Sequence, residues 1–263
     1  MLMSADQQKY LKKIKNEKRL ILFLQMIIVL IFVFLWEYCS NHEIINSFIY
    51  SSPTKIIATL KELIVTNNLL PHILCTLKEV VISFLGGIFL GLIISLLLYE
   101  FKFLSKVCEP FLVTLNSLPK VALGPVIIII AGANLKSIII MALLINLIVT
   151  IMNFYNGFIN IDDNKQLLMK TFNASKLQTL KYLVIPGSLN TIISSLKINI
   201  SMTLIGVIMG EFLVSKQGVG YLIIYGTQIF NMNLVMAGIV ILVVMSIVLY
   251  KIVLLFEKKY CKN

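Results

Sequence analysis

Long runs of uninterrupted apolar residues alternate with short polar, lysine-bearing segments along this chain. A bilayer core of about 30 Å is crossed by about 20 apolar residues in a helix, so the pattern predicts an all-α, polytopic membrane protein with six transmembrane helices. Transmembrane strands are not indicated, because apolar and polar positions would then alternate. The six predicted spans are residues 20–36, 80–99, 110–134, 137–161, 184–210 and 221–250.

A short amphipathic pattern lies in residues 37–71, between the first two predicted spans. Ser52-Pro53-Thr54 is typical of a helix start, since proline is well accommodated in the first turn. The following helix is too short to cross a bilayer, and we predict that it lies along the outer membrane interface. Its apolar face is predicted to contain Ile56, Ile57, Leu60, Leu63 and Ile64.

Composition and charge support a membrane protein with a defined orientation. Hydrophobic residues make up 59% of the chain and charged residues 13%, which would not suit a soluble domain. The net charge of +11 comes mostly from cations in residues 9–19, 102–106, 165–181 and 258–262, all on one side of a six-span topology. By the positive-inside rule, both termini are cytoplasmic in the plasma membrane. The charge thus reflects topology, and no nucleic-acid partner is predicted.

The basic residues 1–19 followed by an apolar run also resemble a secretory signal peptide. No small-residue cleavage site follows, and Trp36 and Tyr38 suit an interfacial anchor, so we predict an uncleaved span. The four cysteines are scattered among different predicted compartments, which indicates neither a disulfide framework nor a metal site. No G-x-x-x-x-G-K-[ST] pattern is present, so we expect no ATP site, cofactor or enzymatic activity in this chain.

Polar residues cluster within the third predicted span. Two prolines, Pro119 and Pro125, should kink that helix and leave carbonyls in need of partners. Lys120 would cost roughly 2.5–3.5 kcal/mol at the bilayer centre, so it should face the bundle interior or extend toward the interface. With Asn116 and Ser117, these residues are candidates for a translocation pathway or gate.

Small residues at a spacing of four occur in two predicted spans, at Gly87 and Gly91 and at Gly206 and Gly210. Such faces let helices approach closely, and we expect packing within one chain, with a dimer seam as the alternative. Asn146 and Asn153 in the fourth span are expected to form interhelical hydrogen bonds, with added polar surface as the alternative.

From Ser52 to the C-terminal tail, the order of features resembles permease subunits of bacterial ABC importers, in the binding-protein-dependent branch that includes nitrate, sulfonate and taurine permeases. The matching pieces are SSPTKIIATLKEL, HILCTLKEVVISFLGGIFLGLIISLLL, PFLVTLNSLPKVALGPVIIIIAGANLKS, NASKLQTLKYLVIPGSLNTI and MGEFLVSKQGVGYLI. The resemblance implies a type I importer permease fold with a core domain at residues 72–257. It also implies a second permease copy, ABC ATPase subunits and an extracytoplasmic solute-binding protein as partners.

In this family a cytoplasmic coupling loop, here residues 156–186, carries Glu-Ala-Ala, then a glycine and a proline at fixed distances. The acidic position is Leu167 here and the glycine position is Asn173, which tolerates a left-handed backbone. Asp162 or Asp163 can cap the first helix, and Pro186 can start the next one. The resemblance assigns ATPase contact to Asp162, Asp163, Leu167, Lys170, Thr171, Asn173, Ala174, Ser175, Lys176 and Pro186.

Two carboxylates near the outer face complete the candidate residues. An acidic residue recurs in the family at Glu211, which could contact the binding protein, line the pathway, pair with Lys216 or be a simple interfacial carboxylate. Relatives usually carry arginine at the position of Glu79. Lys78 does not replace that arginine equivalently, because adjacent helical residues point about 100° apart.

The residues alone leave other classes open, namely an ATPase-independent channel or secondary transporter and a membrane scaffold. A secondary transporter built from inverted halves would show internal repeats, and none is evident. An interfacial loop without a partner is the alternative for residues 162–186. The substrate stays open among small solutes that relatives carry, such as nitrate, sulfonates, taurine or thiamine precursors.

Overall fold

The computed structural model describes residues 5–66 and 68–260, and these form helices without strands. Parts of the predicted N-terminal segment and tail, residues 1–4 and 261–263 including Cys261, lie outside the described residues. Within the described residues, five helices are long and apolar enough to cross a membrane, or six if one sharply bent pair counts as one span. The helices are α1 (Ala5–Asn41), α2 (Ser47–Tyr50), α3 (Pro53–Val65), α4 (Leu69–Glu100), α5 (Lys102–Ser117), α6 (Gly124–Ala131), α7 (Leu135–Ile159), α8 (Asp163–Thr171), α9 (Lys176–Thr179), α10 (Ile185–Val214), α11 (Val219–Gln228) and α12 (Met232–Tyr260).

Helix α7 is the centre of the bundle, packed between α4 and α10. Both predicted small-residue faces contact it. A Cβ added at Gly87 would lie 2.5 Å from the Asn146 side chain, and one at Gly206 would lie 2.5 Å from the Ala142 Cα. The expectation that these glycines pack within one chain is confirmed. Because lipid tails are as apolar as the helices, this close packing is a main source of the bundle's stability.

A second layer joins α12 to this bundle. Leu249 and Val253 share a buried cluster with Val80 of α4 and Val207 of α10. In addition, the expected interhelical hydrogen bond of Asn146 is present, with its Nδ2 donating to Thr203 Oγ1 of α10 at 2.7 Å. For Asn153 the buried Nδ2 has no hydrogen-bond partner among the described residues. Helices α4, α7, α10 and α12 therefore form one packed unit.

The third predicted span, 110–134, is wrong as one continuous helix. Helix α5 ends at Ser117, a 3₁₀ turn covers Lys120–Leu123, and α6 follows. The bend between the two halves is 88°. Pro119 lies at the break, where it has no N–H to donate and also disfavours helical backbone at Leu118 before it. Leu118 is accordingly extended, with a ψ of 140°.

The last predicted span, 221–250, is also wrong at its start. Residues 219–228 form the separate helix α11, and α12 begins only at Met232. Phe230 has a left-handed φ of 54°, and Asn231 N donates to Gly226 O at 2.8 Å, which closes the turn between the two helices. The sequence did not predict this turn, because the apolar run around it contains no proline and little charge.

The N-terminal elements agree with the predictions only in part. The first span, expected at 20–36, lies inside the much longer α1. Helix α3 is present, with Ser52 as its N-cap and proline in its first turn. On its predicted apolar face, Ile56 is buried against the chain while Ile57 and Ile64 are more than half exposed. Helix α3 packs against α12, and its position at the membrane interface stays a prediction.

Candidate functional site

Polar side chains and turns at the two ends of the bundle form the candidate sites. We call the end where Glu100 of α4 meets α9 the loop end, and the end where α4 begins beside α11 the knot end. Helix α4 has 32 residues, so these ends are about 48 Å apart.

At the loop end, α8 and α9 form a compact helical hairpin whose turns are set by local sequence. Asp162 accepts a hydrogen bond from Asn164 N at 2.8 Å and caps α8. Asn173 has a left-handed φ of 51°, as the sequence predicted for a residue at the glycine position. Ser175 and Gln178 form a reciprocal capping box at the start of α9. The predicted cap at Asp162 is confirmed. The predicted helix start at Pro186 is wrong, because a π-helical turn at Leu180–Val184 joins α9 to α10 and the helical backbone continues from Lys176 to Val214.

This hairpin is attached to the rest of the bundle by an ion pair. Lys176 Nζ lies 2.8 Å from Glu100 Oε1 at the end of α4. Beneath the hairpin, Phe154, Phe158 and Val184 are fully buried in one cluster. Val184 belongs to the π-helical turn that follows α9, so this turn is the buried connection between the hairpin and α7.

The outward side of the hairpin exposes large apolar side chains, which we call the apolar loop surface. Phe172 is 73% exposed and Leu177 80% exposed. Four exposed lysines accompany it, at 165, 170, 176 and 181. Exposed apolar patches rimmed by charge typically mark protein or membrane contacts. The surface consists of Leu167, Leu168, Phe172, Leu177 and Tyr182.

Most of the predicted coupling residues lie on this hairpin and are exposed. Ala174 is an exception and is only half-exposed in the turn. Pro186 lies apart from the hairpin surface, in the first turn of α10. The exposed members are Asp162, Asp163, Leu167, Lys170, Thr171, Asn173, Ser175, Lys176 and Pro186.

The bend between α5 and α6 brings together the polar residues predicted for a pathway. Lys120 Nζ donates to Asn116 O at 3.2 Å and lies 3.4 Å from Asn116 Oδ1. The lysine thus supplies hydrogen bonds to a carbonyl at the end of α5. Ser117 bonds to Val113 O within α5, and Pro125 lies in the first turn of α6.

At the knot end, the surroundings of Glu211 differ from those predicted from the sequence. Its side chain is fully buried, so in this structure it neither lines an open pathway nor presents an interfacial carboxylate. It accepts hydrogen bonds from Thr76 Oγ1 at 2.6 Å and Gly220 N at 2.5 Å, and its predicted pairing with Lys216 is not formed.

Sequence reasoning missed His72 and Thr76, which bind the same loop. Gly218 N donates to His72 Nδ1 at 2.9 Å, and Val219 N donates to Thr76 Oγ1 at 2.8 Å. His72, Thr76 and Glu79 are spaced four and three residues apart and therefore share one face of α4. That spacing of polar residues was the available signal.

A central helix packed through glycine faces, a broken span and a polar helical hairpin at one end define a polytopic membrane permease. The family model described as the binding-protein-dependent transport system inner membrane component matches residues 87–261, so the chain belongs to this family. It is a permease subunit of an ABC importer.

Similar proteins agree with this membership. A probable ABC transporter permease protein of Haemophilus influenzae is 31% identical, over 86% of this chain and 91% of its own length. A putative aliphatic sulfonates transport permease of Bacillus subtilis is 25% identical, over 88% and 84%. The MetNI methionine ABC transporter, solved in an inward-facing conformation, gives a TM-score of 0.64 at 17% identity, over 71% of this chain and 93% of that chain. The predicted type I importer permease fold is thereby confirmed.

Proposed function

We propose that this chain works as one of a pair of identical permeases that take up a small solute, driven by separate ABC ATPase subunits. The apolar loop surface carries this proposal. It exposes Phe172 and Leu177 on a hairpin that is joined to α4 by the Lys176–Glu100 ion pair and that continues through the π-helical turn into α10, in a chain of the importer family. ATP hydrolysis is assigned to the partner chains, and the permease itself is non-catalytic.

The proposed orientation places the loop end in the cytoplasm and the knot end outside. The lysines of the hairpin support it by the positive-inside rule, as do Lys102 and Lys106 at the start of α5. An extracytoplasmic binding protein would then deliver the solute near the 215–218 loop. The domain limits proposed are residues 1–19, 20–36, 37–71, 72–257 and 258–263.

The proposed mechanism is alternating access. Closure of the ATPases would push on the hairpin, and the buried base of Phe154, Phe158 and Val184 would carry that push into the bundle. The broken span is the proposed gate, because Asn116 and Lys120 at its bend are polar groups on an otherwise apolar segment. A span broken into two short helices bends more readily than one long continuous helix.

The substrate is proposed to be a small polar or heterocyclic solute. Relatives include the aliphatic sulfonates permease and, at 26% identity over 73% of this chain, a formylaminopyrimidine transport permease of Halalkalibacterium halodurans. An excess of lysine does not argue for an anion, because topology explains it.

The test is copurification of an ATPase with tagged chain from mild detergent. Phe172→Ser and Leu177→Ser should abolish recovery of the ATPase. Phe103→Ser is the matched control, since Phe103 is 83% exposed near the start of α5 but lies outside the hairpin, and it should retain the ATPase. Equal recovery with all three variants would refute docking at the apolar loop surface, and no recovery with wild type would refute the coupled permease.

A further inference from the structure

Two buried carboxyl groups meet at the knot end. Glu79 of α4 is 2% exposed and Glu211 of α10 is fully buried. Adjacent residues of α4 contact both of them: Cys75 Sγ lies 3.7 Å from Glu79 Oε1, and Thr76 Oγ1 donates to Glu211 Oε1 at 2.6 Å, which places the two carboxyl groups side by side. Two carboxylates in contact cannot both be ionised in an apolar site without strong repulsion.

The two groups have unequal surroundings. Glu211 receives hydrogen bonds from Thr76 and from Gly220, in the first turn of α11, where the helix dipole favours negative charge. For Glu79, the Cys75 thiol is a weak donor 3.7 Å from Oε1, and Oε2 has no donor. A buried acceptor without a donor is costly, and a proton bound to Glu79 would remove that cost.

No other titratable or charged group around the pair takes the place of this proton in neutralising the two carboxylates. Helix α4 contributes His72, Cys75 and Lys78, the 215–218 loop contributes Lys216, and α11 contributes Tyr221. His72 Nδ1 is engaged by Gly218, and neither lysine forms an ion pair with Glu79 or Glu211 among the described residues. The residues of α7 beside Glu79, namely Asn134, Leu135 and Ile138, do not titrate.

We propose that Glu79 and Glu211 bind one shared proton, which Glu79 carries and directs at Glu211. This proton acts as a latch that holds the 215–218 loop and the first turn of α11 against α4 and α10. Consecutive amides of Gly218, Val219 and Gly220 donate to His72, Thr76 and Glu211, so the loop is held through the same carboxylate. An open cavity of about 430 Å³ lined by Glu79, Lys216 and Gln217 gives the pair a route to water. Loss of the proton would place two charges together and release the loop. This inference does not rest on ATPase docking.

Infrared spectroscopy of purified wild type in lipid nanodiscs tests the proton directly. With ¹³C-glutamate labelling, we expect a protonated glutamic acid carbonyl band at neutral pH, where exposed carboxyls are ionised. The band should disappear as the pH is raised and be absent in Glu79→Gln. The control Glu109→Gln, an exposed glutamate, should keep it. Absence of the band in wild type would overturn the proposal. Absence together with a Tm raised by sodium or potassium chloride, but not by choline chloride, would assign a bound cation instead.

Hydrogen–deuterium exchange tests the latch. Glu79→Gln keeps a donor toward Glu211 at every pH, so it provides the reference. At alkaline pH, exchange of the 218–220 amides in wild type should exceed that of Glu79→Gln by about tenfold, the ratio expected for one lost charge-assisted hydrogen bond. Equal exchange in the two proteins would overturn the latch even if the shared proton is present.

Discussion

Lys197 of α10 and Glu257 of α12 form an ion pair in which Nζ lies 2.8 Å and 3.0 Å from the two carboxylate oxygens. Ser194 adds a hydrogen bond to Glu257 Oε1 at 3.3 Å. The pair connects the last helix to the bundle, and it joins an isolated lysine of an apolar span to the first residue of the charged Glu257-Lys258-Lys259 tail. Each of the two charges neutralises the other, so neither residue needs a role in transport to explain its presence.

Removing one partner of this pair should destabilise the bundle more than removing both. Glu257→Gln removes the carboxylate charge that Lys197 pairs with, and we expect a lower Tm in detergent. The double variant Lys197→Met with Glu257→Leu should recover most of that loss, because it leaves no uncompensated charge. Thermal unfolding of the three proteins checks this, and a double variant less stable than Glu257→Gln would contradict it.

Adjacent glycines on α4 should respond oppositely to the same substitution. Gly87→Ala would place a Cβ 2.5 Å from the Asn146 side chain, and overpacking of this kind costs about 1–3 kcal/mol. Gly86→Ala meets only Leu143 Cδ2, at an ordinary 3.6 Å, and should be neutral or stabilising by up to about 1 kcal/mol, since alanine favours helix. Thermal unfolding distinguishes them, and equal Tm values would contradict the close α4–α7 packing.

Asn173 should be replaceable by glycine but not by valine. The left-handed backbone at this residue costs a β-branched side chain about 1–2 kcal/mol, while glycine adopts it freely. Asn173→Gly should keep ATPase copurification, and Asn173→Val should reduce it with little change in the Tm of the bundle. Normal coupling in the valine variant would show that the turn does not position the hairpin.

Lys120 at the broken span separates a pathway role from a structural one. Among the described residues its hydrogen bonds reach only Asn116 on the preceding turn, so Lys120→Ala should change the free energy of unfolding by no more than about 0.5 kcal/mol. Solute uptake into vesicles should nevertheless fall strongly if the bend gates transport. Full uptake with Lys120→Ala would remove this residue from the pathway, and Lys106→Ala is a control on the same segment.

The sequence predicted those parts of the fold that depend on local chemistry. Apolar runs located the long helices, and the cap residue Asp162 with the turn residue Asn173 is visible in the order of amino acids alone. The turn at Asn231 was not predicted, because an apolar run carries no sign of where tertiary packing interrupts it. The hydrogen-bonded cluster at the knot end was not predicted for a different reason. Thr76 and Glu211 are 135 positions apart, and their contact depends on how α4 and α10 lie beside each other.

Helix α1 meets the rest of the protein mainly near its C-terminal end. There Thr54 donates to Glu37, and Ser40 Oγ donates to Ser51 O at 3.1 Å. None of its most apolar stretch is buried against the chain, whereas half of that stretch in α7 is. A change in bilayer thickness is accommodated by tilting, at a modest cost for each ångström of mismatch. Helix α1 can tilt about its Glu37 attachment without disturbing the glycine-packed core, so lipid thickness should set the angle of α1 independently of the rest of the permease.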